Sequence, residues 1–167
     1  MAMPIPRRRL YSKGALAMTD LRPARTMEET DLTLFGPGHV RVYQETNGER
    51  GYLWNGAPIL LLTTKGRSSG QERITPLIFV EDGDHPVIIA SKGGAPDHPA
   101  WYKNLVAEPR VRVQIKGEVF DAVARTVGGA DRARIWPRAV EAWPQYADYQ
   151  KATDREIPVV ALERVRS

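Results

Sequence analysis

Short runs of apolar side chains, several of them alternating with polar ones, recur along this 167-residue chain. Val111, Val113 and Ile115 alternate with charged or amide side chains, a pattern that predicts a strand with one buried face. The alternation of Val40 and Val42 before an Asn-Gly turn predicts the first strand of a hairpin. By the same criteria we expect further strands at 52–54, 59–62, 74–80 and 87–90, from Gly117 to about Val127, and at 159–162.

Two segments late in the chain show helical spacing instead. Asp97 and Pro99 supply a capping side chain and a first-turn proline, and apolar residues recur at helical spacing from Trp101 until Pro109. A second apolar stripe predicts a helix that Pro144 interrupts; it comprises Ala133, Trp136, Val140 and Trp143, and continues at Tyr146 and Tyr149.

Six or seven short strands with two to three short helices, and without strand–helix alternation, predict a mainly β fold with helices (α+β): a small antiparallel β-barrel. Residues 1–38 are rich in Pro, Arg, Thr and Glu, so we expect a poorly ordered arm, with one turn of helix near 27–30. The folded domain is expected to span 39–167.

The amino-acid composition excludes several kinds of functional site and partner. The chain has no cysteine, which excludes disulfides, thiolate metal sites and cysteine nucleophiles, and agrees with a cytoplasmic location. Its three histidines are scattered, so no metal site is expected. The formal net charge of +4 favours an anionic partner. No aromatic RNA-binding pattern accompanies the basic residues, so nucleic acid is not expected to be that partner.

The loop at 63–73 joins two predicted strands and is rich in groups that bind anions. Its glycines free backbone N–H groups, its serines offer hydroxyls, and its basic side chains supply charge. The same composition is also common in solvated hairpin tips. These residues are Lys65, Gly66, Arg67, Ser68, Ser69, Gly70 and Arg73.

Two other segments have similarly open interpretations. The segment at 90–95 places two glycines and Lys92 just before a helix N-terminus, which suits an anion but is also an ordinary connection. Trp143, Tyr146 and Tyr149 form an aromatic stripe. A tyrosine can give a proton to a developing anion, although such stripes often serve only core packing.

These segments together resemble the deazaflavin-dependent nitroreductase family of actinobacteria, which are split-barrel flavin/deazaflavin oxidoreductases. The resemblance covers about two thirds of the chain and rests on LLTTKGRSSGQ at 61–71, ASKGG at 90–94, PAWYKNL at 99–105, PQYADYQ at 144–150, TDR at 153–155 and IP at 157–158. It implies a split antiparallel barrel that binds coenzyme F420.

The resemblance also implies roles for individual residues. It implies that the phosphate and acidic glutamyl tail of F420 are held by Lys65, Arg67, Ser68, Ser69 and Arg73. It implies that the ring and side chain are seated by Pro76, Ala90, Ser91, Lys92 and Trp101. Tyr146 matches a tyrosine that orients or protonates the acceptor, and Tyr149 matches a neighbouring pocket tyrosine. On chemical grounds the proton is expected from Tyr146, Ser91 or a bound water.

Two pocket positions depart from the family pattern. Ile78 and Trp143 stand where a nitroimidazole-activating member has tyrosines, so the resemblance does not extend to activation of nitro drugs.

We expect an F420H2-dependent reductase that transfers hydride to a small organic acceptor: a quinone, an activated alkene or a nitro compound. The alternatives are an FMN-dependent oxidoreductase on the same barrel and a non-enzymatic carrier of a cofactor or lipid. Pairing into a homodimer and peripheral attachment to the inner face of the cell membrane are two further expectations.

Overall fold

The structure, a computed structural model, describes residues 36–166. Seven strands and four α-helices follow one another in this part of the chain. The strands are β1 (Leu53–Trp54), β2 (Ala57–Lys65), β3 (Glu72–Asp82), β4 (His85–Ile89), β5 (Arg110–Ile115), β6 (Glu118–Val127) and β7 (Val159–Arg164). The helices are α1 (Pro37–Thr46), α2 (Ala100–Ala107), α3 (Gly129–Ala142) and α4 (Gln145–Lys151).

Strands β2 to β7 close into an antiparallel barrel. They are hydrogen-bonded in the order β2-β3-β4-β7-β6-β5, and β5 pairs again with β2. Leu62 of β2 lies opposite both Thr75 of β3 and Val113 of β5, which marks the point of closure. Strand β1 pairs with the start of β2. This topology confirms the predicted antiparallel barrel, and it explains why the strand patterns showed one buried face.

The barrel interior is filled by one face of each strand. Leu60 and Leu62 of β2 point inward and are fully buried, together with Val113 of the neighbouring β5 and Leu162 of β7 on the other side of the barrel. Helix α2 packs against this cluster through Trp101 and Leu105.

Helices α3 and α4 cover the outer face of β4 and β7 and the end of β6 at Val127. Ile135 and Ala139 of α3 and Tyr146 of α4 pack against buried outward-facing residues such as Val87 and Val159. Helix α3 is also fixed at its polar side by Arg134, whose guanidinium donates to both carboxylate oxygens of Asp82 at 2.6 and 3.2 Å. The predicted helix and its interruption at Pro144 are therefore confirmed. The stripe is confirmed only in part, because the fully buried positions of α3 are Ile135 and Ala139, whereas Trp136 and Val140 are partly buried and Ala133 is exposed.

The predicted first strand of a hairpin near Val40 is wrong, because this segment is helix α1. Its buried residues are His39 and Tyr43, which are four positions apart and so share one helical face. Asn47 has a φ of 51° and caps the helix in the left-handed region, and the Gly48 N–H donates to the Tyr43 carbonyl at 2.8 Å. The Asn-Gly pair ends a helix here and does not connect two strands.

A second correction concerns Asp97, which does not cap helix α2. The helix begins after Pro99, while the Asp97 carboxylate accepts from the His98 N–H at 3.0 Å and from the Lys103 ammonium at 2.8 Å. The predicted helical turn at 27–30 and most of the predicted arm lie outside the described residues. Within residues 36–166, no helix is long and apolar enough to cross a membrane.

Candidate cofactor and acceptor site

The loop between β2 and β3 is drawn tight by its own backbone. The Gly66 N–H donates to the Gln71 carbonyl at 2.7 Å, and the Gly70 N–H donates to the Gly66 carbonyl at 2.8 Å. A Cβ on Gly66 would lie 2.7 Å from Ser69 Oγ and 3.2 Å from the Gln71 carbonyl oxygen, so a larger residue would displace the Ser69 hydroxyl and crowd the loop backbone. Gly70 has a φ of +75°, where glycine is favoured. The two glycines therefore define the shape of the predicted anion-binding loop.

A buried side chain of helix α2 fixes this loop from below. The Asn104 side-chain oxygen accepts from the Arg67 backbone N–H at 3.2 Å and from Arg67 Nη1 at 2.8 Å. The Asn104 side-chain amide donates to the Thr64 hydroxyl at 3.4 Å. Sequence reasoning assigned Asn104 no role, although a polar residue among the apolar positions of a short helix is a signal for one.

A polar cavity of about 600 Å³ lies between this loop and helix α2. Four of the five predicted anion-binding residues line it, and one acidic residue, Glu72, does so too. The Glu72 carboxylate lies 3.6 Å from Arg112, so its charge is partly balanced from outside the cavity. The four residues are Arg67, Ser68, Ser69 and Arg73.

Lys65 is the fifth predicted residue, and the structure places it elsewhere. It lines a different cavity of about 460 Å³, which shares Glu72 with the polar cavity and holds charges of both signs. In that cavity it is accompanied by Glu108, Arg110, Arg112 and Asp121.

The connection from β4 to α2 forms the second predicted segment. Ser91 is 8% exposed, and Lys92 adopts a left-handed backbone with a φ of 48°. A Cβ on Gly94 would lie 2.7 Å from the Tyr149 carbonyl oxygen, so glycine allows this connection to lie directly against helix α4. Ala90, predicted as a seat for the cofactor, has its side chain in the barrel core instead.

An apolar cavity of about 360 Å³ lies beside this connection, on the outer side of β3. It brings together all the residues predicted to contact the acceptor and most of those predicted to contact the cofactor ring. Trp54 of β1, which sequence reasoning did not assign, also lines it and packs on Trp143 with ring centroids 5.3 Å apart. The predicted residues found here are Pro76, Ile78, Ser91, Lys92, Trp101, Trp143, Tyr146 and Tyr149.

Tyr146 is the most buried of the cavity's aromatic residues, at 5% exposure. Its ring lies 6.4 Å from that of Trp136 and 6.2 Å from that of Tyr149, the latter edge to face. Burial, with a smaller contribution from Tyr149, raises the pKa of the Tyr146 phenol well above its usual value near 10. The phenol therefore stays protonated at physiological pH and can act as a hydrogen-bond or proton donor.

The two cavities adjoin, because Thr75 and Trp101 line both of them. The result is one elongated site with arginines and serines at one end and aromatic rings at the other. Such a site suits a ligand that carries an anionic tail on a planar ring. Among the described residues, no group of three His, Asp or Glu side chains is placed to hold a metal ion.

Comparison with known proteins agrees with this geometry. The family model for F420H(2)-dependent quinone reductases matches residues 37–164. An F420H(2)-dependent quinone reductase of Mycobacterium tuberculosis strain H37Rv is 42% identical over 130 residues, which cover 75% of this chain and 87% of that protein.

Two solved structures resemble the chain in both sequence and shape. An F420-H2 dependent reductase, FDR-A, is 48% identical with a TM-score of 0.60, and the match covers 64% of this chain and 94% of that one. A chain described as a domain-swapped dimer is 43% identical with a TM-score of 0.62, and the match covers 74% of this chain and 96% of that one. The expected enzyme class and cofactor are thereby confirmed, and the chain belongs to the F420H(2)-dependent quinone reductase family.

Proposed function

We propose that this protein reduces a quinone with F420H2 bound along the elongated site. The observation that carries the proposal is the junction of the two cavities at Thr75 and Trp101, because it joins a basic region to an aromatic one. An F420 molecule has the same two parts, an acidic tail and a planar deazaflavin ring.

The donor set of the polar cavity fits the acidic tail. Arg67 and Arg73 carry fixed positive charges, and Ser68 and Ser69 add hydroxyl donors on a loop that Gly66 keeps compact. Lys92 adds a third charge on the wall of the apolar cavity. Pro76, Ser91 and Trp101 would contact the ring. The bound coenzyme supplies a hydride, and the chain supplies alignment and a proton.

The acceptor would lie against the aromatic end of the apolar cavity. Trp54 and Trp143 provide flat apolar surfaces that suit the ring of a quinone, and Ile78 adds an aliphatic one. Tyr146 holds a proton on its phenol oxygen and can donate it to the oxygen that becomes anionic. Ser91 places another hydroxyl on the cavity wall, and Tyr149 orients Tyr146 through its edge-to-face contact.

Equilibrium titration with F420 and with FMN, side by side, tests the cofactor assignment. We expect F420 to bind more tightly, because FMN lacks the glutamyl tail that the two arginines would contact. FMN binding as tight as that of F420 would contradict the proposal. Single-turnover oxidation of bound F420H2 by a naphthoquinone, an enone and a nitroimidazole then ranks the acceptors, and the quinone is expected to react fastest. Binding without turnover of any acceptor would favour a carrier.

We also propose that the protein forms a homodimer. A relative with 43% identity is described as a domain-swapped dimer, and the outward face of β6 exposes Val119 and Val123 at 55% and 37%. Light scattering of the purified protein tests this, and a monomeric mass at high concentration would contradict it. The cytoplasmic location and the peripheral membrane attachment stay predictions, and co-sedimentation with lipid vesicles tests the latter.

A further inference from the structure

The guanidinium of Arg155 is the centre of a hydrogen-bond cluster beneath the apolar cavity. Nε donates to the Ala95 carbonyl at 2.8 Å, Nη1 to the Ala90 carbonyl at 3.2 Å, and Nη2 to the Ser91 carbonyl at 2.7 Å. Nη1 also lies 3.0 Å from His98 Nδ1. One side chain therefore ties together both ends of the connection between β4 and α2, 57 to 65 residues away along the chain.

These contacts determine how the peptide groups at the cavity wall are turned. In a planar trans peptide the N–H points opposite to the C=O. Because Arg155 holds the carbonyls of Ala90 and Ser91, the N–H groups of Ser91 and Lys92 are directed away from the guanidinium. Ser91 and Lys92 line the cavity in which the cofactor ring is proposed to bind.

The contact with His98 adds a condition on protonation. A guanidinium can only donate, so His98 Nδ1 must accept, and the histidine must be neutral with its proton on Nε2. A doubly protonated His98 would present an N–H to a cation. The groups that face His98 are Arg155, the Tyr102 ring with its centroid 4.9 Å away, and the charges of Asp97 and Lys103.

We propose that Arg155 is a positioning residue for the cofactor, which holds the 90–98 connection in its ligand-binding shape as long as His98 is neutral. The inference rests on the proposed function, because it assumes that this connection contacts the F420 ring. Burial and the adjacent Arg155 lower the pKa of His98 from its usual value near 6.5, while Asp97 opposes them, so the neutral form prevails at pH 7 and is lost only at a more acidic pH than for an ordinary histidine.

Arg155→Lys is the first test, because lysine keeps the charge but lacks the planar fork that reaches three carbonyls. Arg132→Lys is the matched control. Arg132 is another partly buried arginine, which donates to the Ile157 carbonyl at 2.9 Å and contacts Gln150 and Glu156, but it does not touch the 90–98 connection. Arg155→Lys is expected to weaken F420 binding by about tenfold or more and to speed hydrogen exchange in the ligand-free 90–98 segment. Arg132→Lys is expected to change neither.

His98→Gln tests the protonation condition, because its amide oxygen can accept from Arg155 but does not titrate. The ratio of the F420 Kd at pH 5.5 to that at pH 7.5 is expected to be several-fold larger in the wild type than in His98→Gln. Titration of the ligand itself contributes equally to both proteins. Hydrogen exchange in the 90–98 segment, corrected for the intrinsic effect of pH, is likewise expected to speed up more between pH 7.5 and pH 5.5 in the wild type than in His98→Gln.

Four outcomes would overturn the inference. These are unchanged F420 affinity in Arg155→Lys, unchanged exchange in the 90–98 segment, equal loss of affinity in both lysine variants with matching losses in Tm, and equal pH ratios in wild type and His98→Gln. A wild type that fails to bind F420 at pH 7.5 would instead refute the proposed function. The exchange measurement on ligand-free protein would still decide whether Arg155 holds the connection.

Discussion

Asn104 receives two hydrogen bonds from Arg67, one from the backbone N–H at 3.2 Å and one from the guanidinium at 2.8 Å. The pair joins a helix to the loop 37 residues earlier, and Asn104 is only 5% exposed. One amide oxygen therefore fixes both the path of the loop and the direction of the arginine that lines the polar cavity.

Asn104→Ala is expected to weaken F420 binding by about tenfold, since the free Arg67 side chain must be ordered again when the ligand binds. The loss should depend on Arg67. We therefore expect a double-mutant cycle in which Asn104→Ala costs much less binding free energy in an Arg67→Ala background than in the wild type. F420 titration of the four proteins measures this, and fully additive losses would show that Asn104 does not act through Arg67.

Arg67→Ala and Lys65→Ala distinguish which of the two cavities beside the loop contributes to F420 binding. Arg67 lines the polar cavity, so its removal is expected to cost about 1–3 kcal/mol of F420 binding free energy and to reduce the salt dependence of the Kd. Lys65 lines the neighbouring mixed-charge cavity, so a smaller loss is expected. Titrations at low and high salt measure both effects. Equal losses in the two variants would mean that the acidic tail crosses the loop toward Lys65.

Most of the barrel could be predicted because each strand buries one face, and period-two alternation reports that directly. Helix α1 could not be predicted in this way, because Val40 and Val42 alternate with polar residues as in a strand, whereas the residues that the helix buries are His39 and Tyr43. Pro37 in the first helical turn was the available signal.

The residues of the candidate site could likewise be predicted only in part. Residues of the 66–73 loop were identified because glycines, serines and arginines lie together in the sequence. The roles of Asn104 and Arg155 could not be predicted, because each contacts a segment at least 37 residues away and local composition carries no information about such contacts. The direction of the Lys65 side chain likewise depends on which face of β2 it occupies, and the loop composition does not specify that.

The stability of the α1 attachment is expected to fall at alkaline pH. The Tyr43 hydroxyl donates to the Ile59 carbonyl at 2.9 Å and accepts from the Lys116 N–H at 2.7 Å. Burial raises the pKa of Tyr43 to about 12, opposed in part by the Lys116 bond. Because the folded pKa lies above the unfolded value near 10, the neutral phenol stabilises the fold fully below pH 10, and this contribution is lost as the pH rises to about 12.

Tyr43→Phe isolates this contribution. The difference in free energy of unfolding between wild type and variant is expected to be about 1–3 kcal/mol at pH 8 and to shrink by about 2–3 kcal/mol between pH 10 and pH 12. Urea unfolding at several pH values measures it, and titrations common to both proteins cancel in the difference. A difference that stays constant up to pH 12 would contradict the assigned hydrogen bonds.

Tyr146→Phe tests the proton donor of the proposed reaction. The ring is packed between Trp136 and Tyr149, and phenylalanine preserves that packing, so F420 affinity is expected to change little. Hydride transfer to a quinone is expected to slow by roughly 10- to 1,000-fold, because the developing oxyanion loses its hydrogen-bond or proton donor. Single-turnover oxidation of bound F420H2 at saturating quinone measures the step optically.

Tyr102→Phe is the matched control for that loss, because its hydroxyl bonds Thr126 Oγ1 at 2.9 Å and Tyr102 does not line the apolar cavity. It is expected to leave the rate unchanged. The raised pKa of Tyr146 also predicts the pH profile: the wild-type rate should show no loss from phenol ionisation up to about pH 10, since the neutral donor persists above the usual tyrosine pKa. A rate in Tyr146→Phe equal to that of the wild type would assign the proton to the Ser91 hydroxyl or to water, and Ser91→Ala would then distinguish these two, because only a Ser91 donor makes that variant slow.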